Sequence, residues 1–128
     1  MQTARYCGNR FESWVRASAQ LDTRTGIIAV DLQLETGSVD AGPKGSATIE
    51  VHGAGGELLA TIESAEVGIG GKPPGQAASQ VYSAAVALRG VPARRAAALT
   101  IRVACTGVVR QPYRDGGSAH PGLQLTVK

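Results

Sequence analysis

Hydrophobic and polar residues alternate with a period of two along most of this chain, which is the mark of strands with one buried and one solvated face. In "WVRASAQL" (14–21), Val15, Ala17, Ala19 and Leu21 share one side and Arg16, Ser18 and Gln20 the other. "DTRTG" (22–26) reads as a turn. "IIAVDLQLE" (27–35) then sets Ile28, Val30, Leu32 and Leu34 inward, with Asp31, Gln33 and Glu35 outward. After the loop "TGSVDAGPKG" (36–45), "SATIEVH" (46–52) and "ELLATIES" (57–64) read as a hairpin around "GAGG" (53–56). Its inward positions are Ala47, Ile49 and Val51 on one strand and Leu58, Ala60 and Ile62 on the other. "AEVGI" (65–69) continues as a strand bent at Gly68, and "GGKPPGQAAS" (70–79) is a loop. "QVYSAAVALRG" (80–90) alternates through Tyr82, Ala84, Val86 and Leu88. "LTIRVAC" (99–105) places Leu99, Ile101, Val103 and Cys105 inward, and "LQLTVK" (123–128) does the same with Leu123, Leu125 and Val127. "VPARRAAA" (91–98) is a connector or one helical turn starting at Pro92.

Seven or eight short strands with almost no helix predict an all-β fold. Alternation with one polar face means antiparallel sheets buried on one side. Two of them packed face to face make a single antiparallel β-sandwich of immunoglobulin-like or Greek-key type, with a β-barrel as the alternative. The 128 residues fit one domain, 1–128, in which 1–13 is expected as an N-terminal arm. The strand pattern resembles the small immunoglobulin-like or fibronectin-III-like sandwiches of bacterial secreted proteins. Trp14, however, follows Cys7 too early for the core tryptophan of an immunoglobulin domain. No residue roles are carried over from that resemblance.

Composition narrows the function classes. Aromatic residues make up only 4% of the chain, so the core must be aliphatic. The net charge of +3 comes from dispersed arginines and not from a stripe, which argues against a nucleic-acid partner. Arginine outnumbers lysine and alanine is abundant, usage that suits a high-GC bacterium. No apolar run reaches the ~20 residues that cross a bilayer, so no transmembrane segment is expected. The start, "MQTARYCGNRFESW", lacks the apolar stretch of a signal peptide. It fits a cytoplasmic protein or the mature part of a secreted one.

"EVGIGGKPPG" (66–75) looks like a phosphate cradle but fails the test. With Gly71–Lys72 as the GK pair, the first glycine position is Glu66 and the Mg²⁺-ligating hydroxyl position is Pro73. Prolines also remove the amides that such a cradle needs. No nucleotide and no other cofactor is expected. Metal binding has no support either, because Cys7, Cys105, His52 and His120 show no ligand spacing. The two cysteines are instead read as a disulfide between the N-terminal segment and a late core strand, which implies an oxidising compartment. The alternative is a pair of buried thiols.

A small hydrolase is the weakest reading. It would need His120 in a cleft with a carboxylate and a hydroxyl, and no nucleophile-elbow motif is present. A non-catalytic binding module is expected instead, secreted or on the cell surface and recognising a protein or glycan through end loops. The first candidate loop is "RQPYRDGGSAH" (110–120), with Arg110, Tyr113, Arg114, Asp115 and His120. Tyrosine and arginine are frequent interface anchors. The second is "RYCGNRFESW" (5–14), where Arg10, Phe11 and Trp14 stand with Arg5 and Tyr6. With so few aromatics in the chain, Phe11 and Trp14 are expected to plug the open end of the core. A protein partner is favoured over a glycan because exposed aromatic platforms look few. The alternative function is an assembly subunit that uses sheet edges or a donated N-terminal arm.

Overall fold

The structure is a computed structural model that describes residues 1–9, 13–36, 42–69, 78–88, 90–106 and 123–128. Within them the chain forms β1 (Gln2–Asn9), β2 (Ser13–Asp22), β3 (Ile27–Thr36), β4 (Lys44–His52), β5 (Leu58–Ser64), β6 (Val67–Gly68), β7 (Ala78–Ala87), the one-turn helix α1 (Val91–Arg95), β8 (Ala98–Thr106) and β9 (Leu125–Val127). The strands make two antiparallel sheets. One runs β1-β2-β3-β7. In the other, β8 pairs along the length of β4, β5 and then β6 occupy its opposite edge, and β9 flanks β5. The sheets pack face to face as a sandwich, not as one closed barrel. In the four-stranded sheet β1, β2 and β3 form a consecutive meander, and β7 joins it beside β3.

The alternation read from sequence sets the core. Val15, Ala17, Ala19 and Leu21 of β2 and Ile28, Val30, Leu32 and Leu34 of β3 are all buried. They meet Ala47, Ile49 and Val51 of β4, Ile62 of β5 and Ile101 of β8. Cys7 and Cys105 are joined in a disulfide with Cα atoms 6.1 Å apart. Each belongs to an edge strand, so the bridge clamps the two sheets along the side where β1 lies against β8. In register beside the bridge stand Val15 and Gly45. A Cβ on Gly45 would come within 2.7 Å of Val15 Cγ1. The missing side chain therefore lets the layers close where the bridge crosses.

Three expectations need correction, the first being Val127, which was expected inward but is 42% exposed on the flanking strand β9. Residues 2–9 are not an arm: Gln2 to Asn9 pair in unbroken register with Gln20 to Ser13 of β2. Leu58 is not inward but 56% exposed. A bulge shifts the β4–β5 register between Val51 and His52. It turns Leu58 outward opposite His52 and lets Leu59 pack on the core in its place.

Tyr82 is inward as expected, and its hydroxyl donates to the Gly68 carbonyl at 2.9 Å, tying β7 to β6 of the other sheet. Burial pushes its phenol pKa above the ordinary value. Tyr82→Phe strands that carbonyl and is expected to cost about 1 kcal/mol in urea unfolding with an unchanged circular dichroism spectrum. An unaltered midpoint would show that this bond contributes nothing.

Candidate functional site

Where one side of a strand is committed to the core, the other must face solvent, and pairing then assembles those outward residues into rows. On the four-stranded sheet one row reads Tyr6, Arg16, Gln33 and Val81. The next along the strands reads Ala4, Ser18, Asp31 and Ser83, followed by Gln2, Gln20, Ala29 and Ala85. In the opposite direction lie Gly8, Trp14, Glu35 and Ser79.

The aromatic residues gather at one end of this face. Glycine at position 8 leaves the space beside Trp14 open on β1, and the diagonal neighbour Tyr6 fills it. The two rings meet edge to face with centroids 5.5 Å apart. The Arg16 guanidinium carbon lies 5.8 Å from the Tyr6 ring centroid, within cation–π range. Tyr6 is 44% exposed and Val81, in the same row, 52%. Trp14 is half-buried on this outer face and is not part of the core cluster. The expectation that Trp14 plugs the core is thus overturned, because the aliphatic side chains fill the interior.

Beside the cluster the sheet surface sinks into an open polar depression of about 410 Å³, lined by Gln2, Ala4, Arg16, Ser18, Gln20 and Asp31 among others. The cause is side-chain length. Ala4, Ser18 and Ala29 are short, while Gln2, Gln20 and Arg16 rise around them. Neither Arg16 nor Asp31 is ion-paired among the described residues.

The other sheet's outer face carries His52. Its Nε2 lies 3.5 Å from Glu50 Oε1 and 3.5 Å from Thr100 Oγ1, and its Nδ1 faces the Gly56 carbonyl at 3.4 Å. A nucleophile–base–carboxylate relay needs its hydroxyl and carboxylate on opposite ring nitrogens. Here both fall on Nε2, so the trio is not such a relay. Among the described residues no group of three or more His, Cys, Asp or Glu side chains is placed to hold a metal ion. None of their helices is long and apolar enough to cross a membrane.

Of the residues singled out from sequence, Arg110, Tyr113, Arg114, Asp115 and His120 lie outside the described residues, as do Arg10, Phe11 and Lys72. Trp14 is brought together with Tyr6 and Arg16. The residues not anticipated as one surface are Arg16, Ser18, Gln20 and Asp31. Their outward parity was readable, but their neighbourhood depends on register between strands. No family model matches the chain, nor does any curated protein or solved structure.

Proposed function

We propose that this chain is a non-catalytic recognition module of a secreted or cell-surface setting, and that it binds its partner through the outer face of the four-stranded sheet. The observation that carries this reading is the Trp14–Tyr6–Arg16 cluster beside the polar depression. Aromatic residues are scarce in this chain, and the core does without these two. They stand exposed or half-exposed around a guanidinium, the residue types that dominate interface energies. The Cys7–Cys105 bridge is compatible with an oxidising compartment.

The alternative of a donated N-terminal strand loses its donor, since Gln2–Asn9 is already spent within the sheet and tied at Cys7. Assembly through an edge rests on β7, whose ten residues carry no charge to discourage pairing. A concentration-dependent dimer in sedimentation whose formation protects the β7 backbone amides from hydrogen exchange would favour that second reading.

The test uses the immobilised domain with extracellular and envelope fractions of the source cells. Tyr6→Ala combined with Arg16→Glu is expected to reduce specifically retained material at least about tenfold, a loss of ~1.4 kcal/mol or more, without altering the unfolding midpoint by more than surface substitutions do. Arg102→Ala on the opposite sheet is expected to leave retention unchanged. Equal retention by the wild type and the double variant would refute the assignment of this face.

A further inference from the structure

We infer that the depression on the four-stranded sheet is a saccharide site, and that its ligand is a neutral polyhydroxyl chain lying across β1, β2 and β3. This rests on the reading of that face as the recognition surface. Three features of the lining select the ligand class.

The first is charge. One guanidinium, Arg16, and one carboxylate, Asp31, border the same depression without pairing to each other. An anionic ligand meets Asp31 and a cationic one meets Arg16, so the site suits a ligand without net charge. The second is hydrogen-bond character. Arg16 only donates and the Asp31 carboxylate only accepts, while the Gln2 and Gln20 amides and the Ser18 hydroxyl do both. Hydroxyl groups are both donors and acceptors, so a ligand carrying many of them can satisfy every member of this set. A polypeptide strand, whose donors and acceptors are fixed in alternation, would satisfy few of them at a sheet face whose own backbone is already paired. The third is shape. The depression holds about 410 Å³, within the ~300–1,000 Å³ range of small-ligand sites. It is open, so a chain can enter and leave it. Its floor is made by Ala4, Ser18 and Ala29, which let the ligand approach the sheet closely, and it crosses three strands, a width of about 10 Å. At its rim the Arg16 guanidinium is held against Tyr6, which Trp14 supports in turn. The donor is thereby oriented before ligand arrives, which lowers the ordering cost of binding. A polar, solvent-open site of this kind buries little apolar surface, so its affinity is expected to be weak.

The experiment is a two-dimensional ¹H–¹⁵N titration of the intact oxidised domain. The probes are soluble hexasaccharides of β-1,4-glucose, β-1,3-glucose, β-1,4-xylose, β-1,4-mannose and β-1,4-N-acetylglucosamine, with a polygalacturonate oligomer as the anionic probe. At least one neutral probe is expected to give saturable shifts confined to residues 2–6, 16–20 and 29–31. Asp31→Asn and Arg16→Ala should each weaken that binding about tenfold, and Arg102→Ala should not change it. Both variants lie on the outer face, outside the core, and should keep the wild-type spectrum elsewhere, which separates a lost ligand contact from a lost fold. The inference is overturned if no neutral probe shifts these residues, or if only the polyuronate does. If the neutral probes fail while retention of cell material still depends on Tyr6 and Arg16, the ligand class is wrong and the recognition face stands. If that retention is also indifferent to Tyr6 and Arg16, both fall together.

Discussion

Replacing Cys7 and Cys105 together by serine is expected to lower the folding free energy by about 2–5 kcal/mol and the melting temperature by roughly 10–20 °C. The bridge closes a sequence separation of 98 residues. In the chain-entropy description, closing a loop that long restricts the unfolded chain by about 4.7 kcal/mol, and measured effects run lower. A local effect adds to this. Among the described residues β1 pairs only with β2, and its other edge is held beside β8 through Cys7. Without the bridge β1 should therefore exchange its amide hydrogens well before β3, whose two edges are both paired. Urea unfolding of the oxidised wild type against the double serine variant measures the global term, and hydrogen exchange measures the local one. A difference below about 1 kcal/mol would mean that the bridge is incidental to stability. Equal protection of β1 in both proteins would contradict the local part.

The second large effect is expected at Gly26→Ala, at about 2–5 kcal/mol. Gly26 ends the β2–β3 turn with φ +76°, a conformation that costs an L-residue ~1–2 kcal/mol. A Cβ there would also stand 2.5 Å from the Leu88 carbonyl oxygen and 3.1 Å from the Ala93 Cβ. The first of these is backbone and cannot swing aside, so an overpacking cost of ~1–3 kcal/mol is added. The position is also fixed by its bonds. Gly26 N–H donates to the Asp22 carbonyl at 2.7 Å, and the Gly26 carbonyl accepts from Leu88 N–H at 2.7 Å. Gly56 in the β4–β5 turn provides the internal control. Its φ is +85°, but no atom of the described residues lies within 4 Å of a Cβ built there. Gly56→Ala should show the conformational cost alone, about 1–2 kcal/mol. Chemical unfolding of the two variants side by side separates strain from collision. Equal losses would remove the Leu88 contact from the explanation. The β2–β3 turn also carries a pH effect, since the Arg24 N–H, donating to Asp22 Oδ1, holds that carboxyl below its ordinary pKa. The small stability this contributes is present above the ordinary carboxylate pKa and is lost as pH falls through the lowered one.

Much of this fold is legible in the sequence because aliphatic alternation does most of the work. β2 and β3 are buried at the positions their period-two pattern names, from Val15 to Leu21 and from Ile28 to Leu34. The pattern fails where a strand's inner side is not apolar. In β1 the core-side positions are Thr3, Arg5 and Cys7, because an edge strand overhangs the core and Arg5 there remains exposed. Nothing in hydropathy distinguishes such a strand from an arm. The bulge at Leu58 and Leu59 is equally hidden, since two adjacent leucines offer either parity. Trp14 teaches the opposite lesson. Once Val15 is assigned inward, alternation obliges Trp14 to face outward, and the scarcity of aromatics is no reason to override it. The surface that gathers Tyr6, Trp14, Arg16 and Asp31 was out of reach for a different reason. It exists only through the register of β1 on β2 and β2 on β3, which is set by pairing across turns and not by any local motif.

Hydroxyl-radical footprinting of the domain, free and loaded with the material it retains from cell fractions, would show where the partner sits. Recognition through the four-stranded sheet predicts protection centred on Tyr6 and Trp14, extending to Val81 in the Tyr6 row, with Leu58 and Val127 as reactive as in the free protein. Protection of Leu58 or Val127 with Tyr6 and Trp14 left unprotected would place the partner elsewhere and contradict the assignment.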